Sequence, residues 1–321
     1  MKDNVKKYVE IMDSLDVKQM VLQGPPGTSK TYTAKEIIKA YTNNTLEEEL
    51  IKKDENGEWN GHWAMVQFHP SYGYEDFVRG ITIKTSDKDI NYETVNKIFG
   101  KMCEIAQESK NEKFFLLIDE INRADIATVF GELIYALEYR EQSVEVPYEL
   151  EKNENSSKLS VPDNLYIIAT MNTADKSVGN IDYAIRRRFL FFDLLPDENV
   201  FRNDRKRNDD VINTFNGINN FIEDATKDSQ YRANDFKIGH TYFLNCENDK
   251  IFRYRMQYQV LPILREYYID GIIKIYNQGK YKALKEYLNG KDLDDEYLKG
   301  KDLLKNIISE FINKGEKEII Q

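Results

Sequence analysis

Apolar and polar positions along the chain fall into two alternating rhythms. Val5, Tyr8, Val9, Met12 and Leu15 recur at helical spacing, and the run Gln19-Met20-Val21-Leu22 that follows reads as a short buried strand. After a Gly/Pro turn, residues 31–41 have helical composition, with Ala34, Ile37, Ile38 and Tyr41 on one face. The polar stretch 46–60 predicts a surface loop or a weak helix. Residues 63–68, 114–118, 165–169 and 189–194 predict four more strands, and 126–139 a helix. Two short runs, 143–150 and 159–162, flank a polar tip and predict a β-hairpin insert over about 143–162. Strands alternating with helices predict an α/β fold with a parallel sheet covered on both faces. Beyond Pro196 the pattern turns to helices, such as 282–288 and 303–312. The chain is therefore expected to divide into an α/β domain, 1–196, and a smaller helical domain, 197–321.

Composition narrows the possibilities. A length of 321 residues allows about two domains. Acidic residues outnumber basic ones, 55 to 45, which gives a net charge of −10 and counts against a surface built as a whole to grip nucleic acid. The basic stretch 202–207 contains Asp204 and is followed by Asp209 and Asp210, so it reads as solvated surface. No apolar run approaches the roughly 20 residues of a membrane span, and the start lacks the apolar stretch of a signal peptide. Cys103 and Cys246 form no motif and suit a reducing compartment. A cytoplasmic protein without membrane contact is expected. His62, His69 and His240 are widely spaced, with no neighbours at metal-ligand spacing, and read as structural. No serine or cysteine sits in a nucleophile elbow.

The chemistry concentrates in three places. Gly24-Pro25-Pro26-Gly27-Thr28-Ser29-Lys30-Thr31 lies between a predicted strand and a predicted helix, the context a phosphate-binding loop requires. Its glycines let backbone N–H groups turn inward, and the helix N-terminus adds positive charge. Lys30 would reach the β- and γ-phosphates, and the Thr31 hydroxyl would ligate Mg²⁺. Ser29 stands where the motif carries its last glycine, and a left-handed backbone there would cost a serine roughly 1–2 kcal/mol. Second, the apolar strand 114–118 delivers Asp119 and Glu120 at its C-terminal edge, where open α/β sheets bind ligands. Asp119 suits a contact to Mg²⁺ and Glu120 suits polarising an attacking water. Third, Asn172 closes another strand, where its amide would hold that water or the γ-phosphate. Together the three elements predict nucleoside triphosphate hydrolysis.

Arg186-Arg187-Arg188 follows Asp182. Guanidinium groups stabilise charge on a transferring phosphoryl group and can come from a neighbouring subunit. The other reading is a solvated basic cluster, or a structural partner for Asp175 or Asp182. The first implies an oligomer with sites at its subunit interfaces.

These residues resemble the AAA+ superfamily, and more narrowly the McrB-type GTPase subunits of modification-dependent restriction systems. Four blocks carry the resemblance. They are the loop Gly24 to Thr31, the run Val66-Gln-Phe-His-Pro-Ser-Tyr-Gly-Tyr-Glu-Asp-Phe77, the run Leu117-Ile-Asp-Glu-Ile-Asn-Arg-Ala-Asp125, and Met171-Asn-Thr-Ala-Asp-Lys-Ser177 running on to Asp182-Tyr-Ala-Ile-Arg-Arg-Arg-Phe189. Ile238-Gly-His-Thr-Tyr-Phe243 and Leu261-Pro-Ile-Leu-Arg-Glu-Tyr267 resemble the family's helical lid. The resemblance implies an AAA+ P-loop NTPase fold, a homo-oligomeric ring of six, GTP rather than ATP as substrate, Mg²⁺ as cofactor, and an McrC-type endonuclease partner through which DNA is reached. It places Asn172, Asp175 and Lys176 on the signature motif that organises hydrolysis. Lys176 stands where the family has arginine, which keeps the charge and loses the planar fork. Arg187 and Arg188 fall where the neighbouring subunit's nucleotide would be served. Tyr72, Tyr74 and Phe77 would pack against the ring pore or a partner, with core packing the other reading for Phe77.

The chain begins about twenty residues before the phosphate loop. The expectation is an isolated motor domain, or a system whose DNA targeting belongs to another protein. The reading is thus a GTP-hydrolysing ring motor of a McrBC-like restriction or antiviral complex. Two alternatives stay open: an ATP-driven remodelling ATPase of MoxR or dynein-related kind, and a nucleotide-gated assembly module with little turnover.

Overall fold

The structure is a computed structural model that describes residues 2–42, 52–53, 59–85, 90–150, 157–175, 181–203, 209–246, 248–291, 293 and 303–312. The chain forms two compact units. One comprises Met1–Gln23 and Lys30–Asp193, the other Gly24–Ser29 and Leu194–Gln321.

The first unit is built on a five-stranded sheet. Its strands are β1 (Gln19–Gly24), β4 (Trp63–Gln67), β7 (Phe114–Asp119), β10 (Leu165–Asn172) and β11 (Leu190–Asp193), hydrogen-bonded in the order β11-β1-β10-β7-β4. The pairs β1–β11, β10–β7 and β4–β7 are parallel. Every residue of Phe114–Ile118 is buried, because helices cover both faces and the run needs no polar alternation. Successive side chains still divide between the faces. Phe115 meets Tyr41 of α2 (Lys30–Thr42) at 5.2 Å between ring centres. Phe114, Leu116 and Ile118 share the other core with Phe99 and Phe130. Phe77 is fully buried there, packed on Phe68, Phe99 and Phe130, so it belongs to the core.

The predicted helix over 126–139 is broken in two. Asp125 caps the first piece, Ile126–Phe130, by accepting from Ala127 N and Thr128 N, and Gly131 at φ 50° ends it before Leu133–Ala136 begins. Within the stretch read as loop or weak helix, Lys52–Lys53 pairs antiparallel with Trp59–Asn60. Val144 and Glu145 pair antiparallel with Leu159 and Lys158, while the tip of that hairpin, 151–156, lies outside the described residues. A longer ribbon, β5 (Arg79–Thr85) with β6 (Ile90–Asn96), did not register in the pattern. Ile81, Ile83, Ile90 and Tyr92 alternate along it, yet they are between 53% and 67% exposed, so no core demands them. At its base Arg79 is buried and donates to Asn96 Oδ1 (2.9 Å) and Tyr148 O (2.8 Å).

In the second unit the helix Asp209–Ala225 buries Val211, Thr214, Phe215, Ile218, Ile222 and Ala225, one stripe at helical spacing. The helix Leu303–Ile312 packs on it, with Phe311 at 5.9 Å from Phe221 between ring centres. Glu310 accepts from Ala283 N (2.7 Å) and Leu284 N (3.0 Å), which satisfies the exposed start of the helix Lys282–Leu288. Both cysteines are buried and free. Among the described residues no helix is long and apolar enough to cross a membrane.

Candidate functional site

The site grows from the C-terminal ends of two neighbouring strands. β10 and β7 run parallel in the register Ala169 beside Ile118, so Thr170 emerges next to Asp119. Thr170 Oγ1 donates to Asp119 Oδ1 at 2.7 Å and accepts from Glu120 N at 3.1 Å. The same Asp119 oxygen accepts from Thr31 Oγ1 at 2.7 Å, from the first turn of α2. Two hydroxyls thus fix one carboxylate oxygen.

Glu120 leaves the strand at φ 55°, a left-handed conformation that costs a residue with a side chain roughly 1–3 kcal/mol. The bond from Glu120 N to Thr170 helps hold it there. Glu120 Oε2 lies 3.7 Å from Arg123 Nε and has no hydrogen bond, although it is buried. Burial pushes the Glu120 carboxyl up, against the attraction of Arg123 and Lys30. Arg123 in turn holds Asp175, with Nη2 2.9 Å from Oδ2. Asn122 donates to the backbone oxygen of Asn172 at 3.1 Å. The side-chain oxygens of Asn122 and Asn172 are buried and have no hydrogen bond. Lys30 is desolvated and pushed down to about 8, although Glu120 and Asp119 both favour its charge.

The phosphate loop itself, Gly24–Ser29, belongs to the second unit. Thr28 Oγ1 donates to Pro25 O at 3.0 Å and closes the loop on itself. Gly239 N donates to Pro26 O (3.1 Å) and Thr241 N to Gly27 O (3.0 Å). The approach needs glycine on both sides. A Cβ on Gly239 would lie 2.1 Å from the Gly27 carbonyl, and one on Gly27, at φ 77°, 2.6 Å from the Tyr242 ring. Ser29 does adopt the left-handed backbone, at φ 63°, and its Oγ lies 2.9 Å from His240 Nε2.

Thr31, Asp119, Glu120 and Asp175 are linked by these contacts, Asn172 is held through its backbone oxygen by Asn122, and Lys176 lies outside the described residues. Arg187 and Arg188 are held elsewhere, by Glu138, with Nη2 atoms 2.9 and 2.6 Å from Glu138 Oε2. They line a cavity of about 500 Å³ with Lys18, Arg140 and Asp163. Asp175 pairs with Arg123, and Asp182 accepts from Ile185 N to cap a helical turn, so neither is a partner of the arginine cluster through those bonds. Thr170 belongs to none of the sequence motifs, Asn122 and Arg123 lie in the run Leu117 to Asp125 without a role the sequence assigns, and His240, read from the sequence as structural, is buried with both ring nitrogens in contact. The alternation of β10 puts Thr170 one residue beyond the register of Ile118, which is a signal only once the partner strand is known.

A glycine-rich loop that runs on in the chain to a helix, whose Thr31 meets the first of two carboxylates at the end of a strand in a parallel sheet, defines a P-loop nucleotide-binding fold. The family description "AAA domain (dynein-related subfamily)" matches residues 19–189, and "McrB, alpha-helical lid domain" matches 210–276. The chain belongs to the AAA+ family and is of the McrB type. It is 32% identical over 271 residues to the "Type IV methyl-directed restriction enzyme EcoKMcrB subunit" of Escherichia coli (strain K12), which covers 80% of this chain and 55% of that protein. It is 27% identical over 208 residues to the "Type II restriction enzyme BsuMI component YdiS" of Bacillus subtilis (strain 168), covering 54% and 56%. The chain therefore spans about half the length of the curated relatives it matches.

Proposed function

We propose that the chain hydrolyses a nucleoside triphosphate, GTP in preference to ATP, as the ring motor of a restriction complex that drives a partner endonuclease. The observation that carries the hydrolytic reading is the arrangement around Glu120. A buried carboxylate oxygen without a hydrogen bond stands in one linked cluster with Asp119, Thr31, Arg123 and Asp175. Buried acceptors of this kind fit a water molecule, which brings donors.

Mg²⁺ fits the same place, because a single carboxylate with a hydroxyl is the set this ion uses alongside substrate phosphates. Thr31 and Asp119 would hold it, and when bound it supplies neutralising charge. Gly24, Pro25, Pro26, Gly27, Thr28 and Ser29 would cradle the phosphates, and Lys30 would meet their charge directly. Glu120 orients the water and takes its proton as the water oxygen bonds to the γ-phosphorus, while the bond to the β-phosphate oxygen breaks. Its raised affinity for a proton suits that role. Arg123 keeps Glu120 and Asp175 in place, and Asn172 contacts the water or the γ-phosphate. Arg187 or Arg188 would serve the nucleotide of the next subunit in a hexameric ring.

GTP preference and an endonuclease partner are supported by the resemblance to restriction subunits, and DNA would be reached through that partner. The family description with a dynein-related subfamily in it favours a second reading, an ATP-driven remodeller. Phosphate release from GTP and from ATP, with oligomeric state followed in parallel, separates the two. Glu120→Gln should bind nucleotide as the parent does and lose turnover by about a hundredfold or more; normal turnover would remove Glu120 from the chemistry.

A further inference from the structure

Gly24–Ser29 and the turn that carries His240 lie in one compact unit, with the backbone on either side of His240 bonded to the loop carbonyls of Pro26 and Gly27. These bonds use carbonyls, the opposite polarity from the amides that a phosphate engages. His240 is 2% exposed and makes its two ring contacts inside this unit. Its Nδ1 lies 3.3 Å from Asp197 N, a backbone group that only donates. Nδ1 is therefore the bare nitrogen, the proton sits on Nε2, and His240 donates to Ser29 Oγ across 2.9 Å. Burial holds the imidazole below its ordinary value, in keeping with this neutral form. Ser29 is the loop residue whose backbone is left-handed and whose side chain makes that conformation unfavourable.

We propose that His240 is a positioning residue for the phosphate loop: its Nε2–H bond to Ser29 Oγ holds Ser29 in the left-handed conformation that a glycine reaches unaided. The serine hydroxyl then offsets the cost of the serine Cβ, and the conformation of Ser29 depends on His240 through this bond, beside the two backbone bonds that hold Pro26 and Gly27. This rests on the reading of the loop as a nucleotide site.

The test is a double-mutant cycle read in the affinity of the full chain for fluorescent GTP and ATP analogues with Mg²⁺. His240→Leu should weaken binding by roughly five- to thirty-fold, the left-handed penalty of a serine converted to an equilibrium constant. His240→Gln, whose amide nitrogen reaches about as far as Nε2, should restore most of the affinity. His240→Asn, which reaches only as far as Nδ1 and keeps the Asp197 contact, should not. On a Ser29→Gly background the His240→Leu loss should shrink to about threefold or less, because glycine needs no hold. Equal losses on the serine and glycine backgrounds would overturn the proposal, as would parental affinity in both His240→Leu and His240→Asn. Should His240→Leu fail to fold, His240→Asn supplies the same cycle. A parent chain that binds neither nucleotide would overturn the nucleotide reading, and this inference with it.

Discussion

Titrating nucleotide into this protein at pH 8 should draw about half a proton per site out of the buffer. The source is Lys30, whose ammonium burial has pushed down to about 8 against the pull of Glu120 and Asp119. A polyphosphate placed against that ammonium adds negative charge beside it and moves its affinity for a proton back up. At pH 8 the unliganded protein is about half protonated at Lys30, and the complex is almost fully so. At pH 7 the difference falls to about a tenth of a proton. The sign follows from the depressed value: the binding-competent charged form is nearly complete by about pH 7 and is lost as pH rises through about 8. Affinity should therefore fall above pH 8, approaching about tenfold per pH unit. The terminal phosphate is already ionised there, with a second pKa of about 6, so it does not mask the uptake. Calorimetry in several buffers of equal pH and unequal ionisation enthalpy reads the proton number as a slope. Binding with zero slope at pH 8, or with proton release, would refute the account of Lys30.

Three further outcomes are expected. Thr170→Val removes a donor to Asp119 and leaves Glu120 N without its acceptor, so it should cost about 2–3 kcal/mol in urea unfolding, with Thr170→Ser recovering most of it; an unchanged midpoint would show the pair of bonds to be idle. Gly239→Ala sets a Cβ against backbone atoms of Gly27 at 2.1 Å, which cannot turn aside, so both stability (by about 1–3 kcal/mol) and nucleotide affinity should fall. Arg187→Ala and Glu120→Gln should each be inactive alone. Mixed, they should regain part of the turnover if the arginine works on a neighbour's nucleotide, whereas a silent mixture would place Arg187 outside the chemistry.

The five sheet strands were legible because each is a short apolar run bounded by turn residues, and Phe114 to Ile118 needed no alternation to be recognised. The carboxylate pair at its end was legible for the same reason: charge directly after a buried strand has few places to go. The break at Gly131 was harder, because apolar residues keep helical spacing across it while the backbone does not. The ribbon Arg79–Thr85 with Ile90–Asn96 has a plain period of two, but its apolar face is turned to solvent, so a search for core positions passes it by. Thr170 and His240 share a deeper obstacle. Each acts through one bond to a residue far away in the chain, Asp119 and Ser29, and only the fold supplies those neighbours. Ser29 showed where strain would fall without showing what would answer it.

The left-handed backbone at Glu120 bears on how this chain would age. A duplicate released from the need to turn over nucleotide would gain roughly 1–3 kcal/mol by exchanging Glu120 for glycine, the residue that adopts such a backbone without strain. An apolar residue in place of the buried Lys30 would end the cost of desolvating its charge. Drift in such a copy would thus be directed, with decay and stabilisation running the same way at these two positions. A working copy resists that slope, and retention of Glu120 and Lys30 together is the mark by which it would be told from a retired one.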